Sequence, residues 1–142
     1  MAGLVGPNPP YHGPVFVLSH FARDPPPMEG GTTFFFVTEG VKAALEQARS
    51  ASAGANVAIS GGAQTLNQYL AAGLVDEFTV SLVPITIGAG ERLFTDVGSI
   101  KCELMDTLNR TRNSSQVQNI ATAGGAPPPR NRAAMMLQFR AL

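Results

Sequence analysis

Two glycines stand where a strand hands over to a helix. The segment VAISGGAQTLNQYLAAGLVDE, residues 57–77, reads as strand, Gly61-Gly62, helix and stop. At such a joint the first backbone N–H groups of the helix have no partners, and aligned peptide dipoles add partial positive charge. Gly61 and Gly62 carry no Cβ, so a diphosphate could approach the main chain closely and the turn could take positive φ. Ala63, Gln64 and Thr65 would then offer N–H groups, and the Gln64 or Thr65 side chain a further hydrogen bond. The tripeptide is neither the dinucleotide pattern G-x-G-x-x-G nor the phosphate loop ending in Gly-Lys-Ser/Thr. A tight joint without a ligand explains it equally well.

A second group of polar residues closes two earlier strand-like runs. Ser19 and His20 end VFVLSH, and Thr38 ends TTFFFVT. In an open parallel sheet ligands bind at the carboxyl ends of strands. Ser19, His20, Thr38 and the diglycine are therefore expected along one rim, an arrangement that suits a nucleotide. Other titratable groups are few: His12, Asp24, Glu29, Glu39, Asp76, Glu77, Glu91 and Asp96. Asp76 and Glu77 follow a helix end and are expected to solvate the turn. Glu91, in the Gly-Ala-Gly loop, is the best placed for a substrate contact. No catalytic residue is assigned, and one Cys with two His in separate segments gives no metal spacing.

Regular alternation positions these residues. Residues 15–19 and 32–38 are short β-branched and aromatic runs. Val41, Ala44, Leu45 and Ala48 then fall at helical spacing. Residues 56–60 form a third strand, and a second helix carries Leu66, Tyr69 and Leu70 on one side and ends at Gly73. Residues 77–87 form the longest strand, which Pro84 turns out of the central sheet. Phe34-Phe35-Phe36 is expected to be sheet core rather than a stacking platform. Strand, helix, strand, helix, strand implies an α/β fold with a mostly parallel sheet and helices packed on its faces. After Asp106 the pattern decays into a polar and then Gly/Ala/Pro-rich stretch, and residues 133–139 suit a strand or a short helix alike.

Bulk properties exclude several functions. The 142 residues carry no net charge and only 14% are charged, which argues against a nucleic-acid footprint. A single cysteine, Cys102, cannot form an intrachain disulfide and is expected to be a packed or edge thiol. No apolar run of membrane-spanning length occurs, so a cytosolic setting is expected.

The combination GGAxTxxQYLxAGLVDExxxxxxPxxxGxGxxLF, residues 61–94, with VFVLSH and TTFFFVTEGVKAALEQA before it, resembles the dihydrofolate reductase-like superfamily. Within that superfamily it is most similar to the riboflavin-biosynthesis reductase domain, and the likeness covers residues 12–106. The resemblance implies a three-layer fold and an NADPH-dependent reductase acting on a ribosylaminopyrimidine or similar small heterocycle, expected as a homodimer. A non-catalytic nucleotide-binding or dimerising remnant is the alternative. It further implies that Ser19 and His20 meet the 2′-phosphate and adenosine end, with Thr38 near the adenine. Gly61, Gly62, Ala63, Gln64 and Thr65 would hold the pyrophosphate, and residues 84–94 would border the active-site mouth, with Gly88 and Gly90 allowing the turn. The family's opening DGxIA strand and Gly-Arg-x-Thr motif are absent, so the chain is expected to be an N-terminally truncated form. Residues 1–12 then read as a loop or remnant, 13–106 as the α/β domain and 107–142 as a divergent tail. The Gly/Ala/Pro stretch is expected to replace the family's C-terminal hairpin.

Overall fold

The structure of the protein is a computed structural model that describes residue 9 and residues 11–82, 86, 88–110, 115–122 and 134–136. The expected loop at residues 1–8, the strand's continuation across Pro84 and the Gly/Ala/Pro stretch at 123–133 lie outside the described residues. The chain divides into two compact units, Met1–Gly54 and Ala55–Leu142.

The first unit holds β1 (Pro14–Leu18), β2 (Thr33–Val37) and α1 (Val41–Ala51). β1 and β2 run parallel, with Phe16 opposite Phe35 and Leu18 opposite Val37. Their entrances are tied: the Thr32 hydroxyl donates to the Tyr11 carbonyl, and His12 Nδ1–H donates to the Gly30 carbonyl at 2.8 Å. α1 lies against β1 and buries Ala44 and Leu45, the centre of its expected apolar stripe. The phenylalanine triplet departs from expectation. Successive strand residues point to opposite faces, so Phe34 and Phe36 are half-buried while Phe35 is 42% exposed and stacks on Phe16 at 5.2 Å.

The second unit holds β3 (Ala58–Ile59), α2 (Ala63–Ala71), β4 (Glu77–Leu82), β5 (Cys102–Arg110), β6 (Ser115–Thr122) and β7 (Ala134–Met136). These strands form one sheet in the order β3-β7-β4-β6-β5. β7 runs parallel to both β3 and β4, whereas β6 is antiparallel to β4 and β5. The α/β character stands, but the strands form two sheets rather than one, and the larger is mixed. With only four residues between them, β5 and β6 must pair antiparallel, because parallel neighbours need a crossover of a dozen or more. That hairpin is itself a correction. It occupies residues 102–122, immediately before the Gly/Ala/Pro stretch that was expected to replace it. Thr122 fastens its end to the start of β4, the hydroxyl donating to the Val75 carbonyl at 2.8 Å. β5 is the outer strand, and Cys102 on it is exposed, which meets the edge reading of that thiol.

Ile59, Ala63, Leu66, Tyr69, Leu70, Val75, Phe78 and Val80 are the buried apolar residues of this unit among those described. α2 ends as its sequence dictates: Gly73 takes φ 66°, its N–H reaches the Leu70 carbonyl at 2.9 Å and the Leu74 N–H reaches Tyr69 at 3.0 Å. These two bonds make a Schellman motif, which satisfies the last carbonyls of the helix. Burial raises the pKa of the Tyr69 phenol, because the phenolate would lose its hydration. The neutral form is thus the one the fold favours. Stability is intact below the ordinary tyrosine pKa and falls above it, as the unfolded chain ionises first. Between the two pKa values the slope is about 1.4 kcal/mol per pH unit. Tyr69→Phe is expected to flatten that alkaline loss, as read from thermal melts between pH 8 and 11.

Candidate functional site

Ser19 and Thr38 are brought together by the first unit. The Ser19 N–H donates to the Val37 carbonyl at 3.0 Å, extending the ladder one residue beyond β1, so both polar residues sit at the same end of the strand pair. The Ser19 hydroxyl is engaged in its own turn. It donates to the Phe21 carbonyl at 2.8 Å and accepts from the Phe21 N–H at 3.1 Å. The turn leaves His20 exposed, with no hydrogen bond or ion pair among the described residues. Of the two, the imidazole is therefore the available donor for an anion. The Thr38 N–H is taken by the Glu39 carboxylate at 2.9 Å. The diglycine lies in the second unit.

There the two glycines have different reasons. A Cβ on Gly61 would stand 3.3 Å from the Thr65 side chain, so a larger residue there would press on Thr65 whether or not a ligand is bound. Gly62 is the N-cap of α2, at φ −70° and ψ 172°, an extended conformation open to any residue. Neither glycine uses positive φ, contrary to expectation. What Gly62 provides is an exposed helix start with no side-chain cap on the first N–H groups. The first intrahelical bond runs from the Leu66 N–H to the Gly62 carbonyl at 3.1 Å, which leaves the N–H groups of Ala63, Gln64 and Thr65 directed away from the helix. Glu91 comes to the same end. Its Oε2 lies 3.5 Å from where a Gly62 Cβ would be. A carboxylate there is favoured by the helix dipole and stands where an anionic ligand would compete with it. Glu91 is exposed, so it can turn aside without unpacking the unit.

An open groove of about 520 Å³ begins at this helix start. Gln64, Asn67, Gln68 and Ala71 form one wall, a stripe at spacings of three, four and seven on the side of α2 away from Leu66 and Leu70. Glu91, Arg92, Thr95 and Asp96 form the other. Gly88 and Gly90 before them take φ 78° and 148°, the turn for which glycine was expected. Gln64 alone among the expected side-chain donors faces the groove, with Ala63 beside it. Asn67, Gln68, Arg92 and Thr95 were not anticipated. The polar stripe on α2 was readable as a helical period, while the loop wall depends on contacts distant in sequence.

Comparison with known proteins bears on this arrangement. Residues 4–119 match the model of the RibD C-terminal domain. The chain belongs to that family. It is thus a riboflavin-biosynthesis reductase-like domain of the dihydrofolate reductase-like superfamily, and the match runs past Asp106 into β6, through residues read from the sequence as a divergent tail. Among curated relatives, the chain is 31% identical over 62 residues to the uncharacterized protein YwjB of Bacillus subtilis (strain 168), covering 44% of this chain and 35% of the relative. It is 38% identical over 66 residues to the uncharacterized protein YyaP of the same organism, covering 46% of this chain and 34% of that one. The chain spans about a third of the length of the curated relatives it matches. Among the described residues of this RibD-type domain no helix is long and apolar enough to cross a membrane.

Proposed function

We propose that this RibD-type domain is an NADPH-dependent reductase that transfers hydride to a small heterocycle, a ribosylaminopyrimidine or a close analogue. The observation that carries the reading is the uncapped start of α2 at Gly62, a cradle that any Cβ would narrow, at the head of a polar groove. Family membership supports the same chemistry. NADPH when bound would supply the hydride, and the protein's part is to hold and orient it. The N–H groups of Ala63, Gln64 and Thr65 would carry the diphosphate, and the Gln64 side chain would add a hydrogen bond from the groove wall. Ser19, His20 and Thr38 would receive the adenosine end, with the exposed His20 as donor to the 2′-phosphate and the Ser19 turn holding it in place.

The test is titration of the purified chain with NADPH and NADH, followed by nicotinamide fluorescence, on the wild type and on Ser19→Asp. An aspartate in this turn keeps the bond from the Phe21 N–H and gives up the one to the Phe21 carbonyl, so the variant adds a negative charge at the cost of one hydrogen bond of the turn. The variant is expected to bind NADPH roughly tenfold more weakly and NADH unchanged, through repulsion of the 2′-phosphate. Equal loss for both cofactors would sink the assignment of Ser19 and His20. Saturable binding without NADPH consumption across a panel of aminopyrimidines would favour the non-catalytic nucleotide-binding alternative.

A further inference from the structure

The loop wall of the groove is held in an unusual backbone conformation. Phe94 and Asp96 take φ 62° and 57°, the left-handed region that non-glycine residues seldom occupy. Such residues persist where their surroundings over-determine them. Two contacts do so for Phe94. The Phe94 ring lies 5.8 Å from the ring of the buried Phe78, anchoring the loop to β4. The Asn67 carboxamide grips the backbone from the other side: Nδ2–H donates to the Arg92 carbonyl at 3.1 Å and Oδ1 accepts the Phe94 N–H at 2.8 Å. One side chain thus satisfies a donor and an acceptor two residues apart, a pairing that an amide alone supplies among side chains of its size. Asn67 also lines the groove, one turn along from Gly62.

We infer that Asn67 is a positioning residue: it fixes the backbone of residues 92–94 and thereby sets where Glu91 and Arg92 stand in the groove. This rests on the reading of the α2 start as the diphosphate seat. Glu91 can turn aside for a ligand by its own side chain, whereas Arg92, the cation among the residues lining the groove, has its backbone held by Asn67, so loosening the clamp withdraws positive charge from an entering nucleotide. The charged groups facing Asn67 across the groove are Glu91, Arg92 and Asp96, and α2 itself contributes none.

Asn67→Asp makes the claim testable apart from general destabilisation. As a carboxylate, residue 67 still accepts the Phe94 N–H but turns a lone pair toward the Arg92 carbonyl. As a carboxylic acid it is isosteric with the amide and donates to that carbonyl. Affinity for NADP+, which is stable in acid, is measured at pH 7.5 and pH 3.5 for wild type, Asn67→Ala and Asn67→Asp, with Phe94 amide exchange followed by NMR. Asn67→Ala is expected to bind about tenfold more weakly than wild type at both pH values and to lose Phe94 protection while α2 amides keep theirs. Asn67→Asp is expected to match that loss at pH 7.5 and to recover toward wild type at pH 3.5, below the ordinary aspartate pKa of about 3.9, in binding and in Phe94 protection, with wild type as the reference at each pH. Unchanged affinity in Asn67→Ala, or no acid recovery in Asn67→Asp, would overturn the inference. If wild type binds no NADP+ while Phe94 protection still follows the protonation of Asn67→Asp, the clamp stands and the diphosphate reading falls.

Discussion

Gly62→Val is expected to abolish nucleotide binding while leaving the protein folded. The extended backbone at Gly62 is the region that β-branched residues prefer, so the substitution stores no strain. The nearest atom to the added Cβ is Glu91 Oε2 at 3.5 Å, an ordinary contact with the end of a flexible, exposed side chain. The two methyl groups beyond it, however, extend over the helix start, where a phosphate oxygen must come within hydrogen-bonding distance of the N–H groups. A loss on the order of a hundredfold, about 2.7 kcal/mol, is expected in NADPH titration, with the circular dichroism melt lowered only slightly, by the poorer N-cap. Gly61→Val gives the contrast. Its Cβ would press on Thr65 at 3.3 Å, so the melting temperature should fall as well. Full affinity in Gly62→Val would place the diphosphate somewhere other than α2.

Leu66→Ala is the substitution expected to cost the most stability. Leu66 is fully buried on α2, and removing its isobutyl group loses transfer free energy and leaves a cavity. About 2–5 kcal/mol is expected from chemical denaturation, a large share of the total for a domain of this size. Leu104→Ala on the outer strand, where the side chain is 59% exposed, should stay within about 0.5 kcal/mol. Similar small losses in both would mean that α2 is not packed as described.

The parts of this molecule that sequence reading reached are those specified locally. α2 was legible at both ends, because Leu66, Tyr69 and Leu70 set its period and Gly73 its stop, and the first two strands and α1 carried equally local signals. The β5–β6 hairpin was hidden by its own geometry. A register shift between Leu104 and Asp106 inserts an extra residue, so the alternation of inward and outward positions slips by one midway and no sustained period of two survives. Partner choice was also out of reach. β3 and β4 flank α2 in sequence, yet neither pairs with the other, since β7 lies between them. The candidate site divides the same way. Gly62 and Gln64 follow from a helix start, whereas the clamp by Asn67 spans 25 and 27 positions and has no local signature.

The seat of β7 has a consequence for the order in which the chain acquires structure. Ala134 pairs with both Ala58 and Glu77, so one short strand supplies the inner edge for two strands made long before it. On the ribosome β3, α2 and β4 emerge early and must wait, with a gap one strand wide, until residues 134–136 clear the exit tunnel. The proposed diphosphate cradle follows β3 directly in sequence and so borders that gap. Its alignment therefore waits on a strand far downstream in sequence, and a nascent chain stalled before residue 134 would carry every residue of the proposed cradle without the strand that joins β3 to β4.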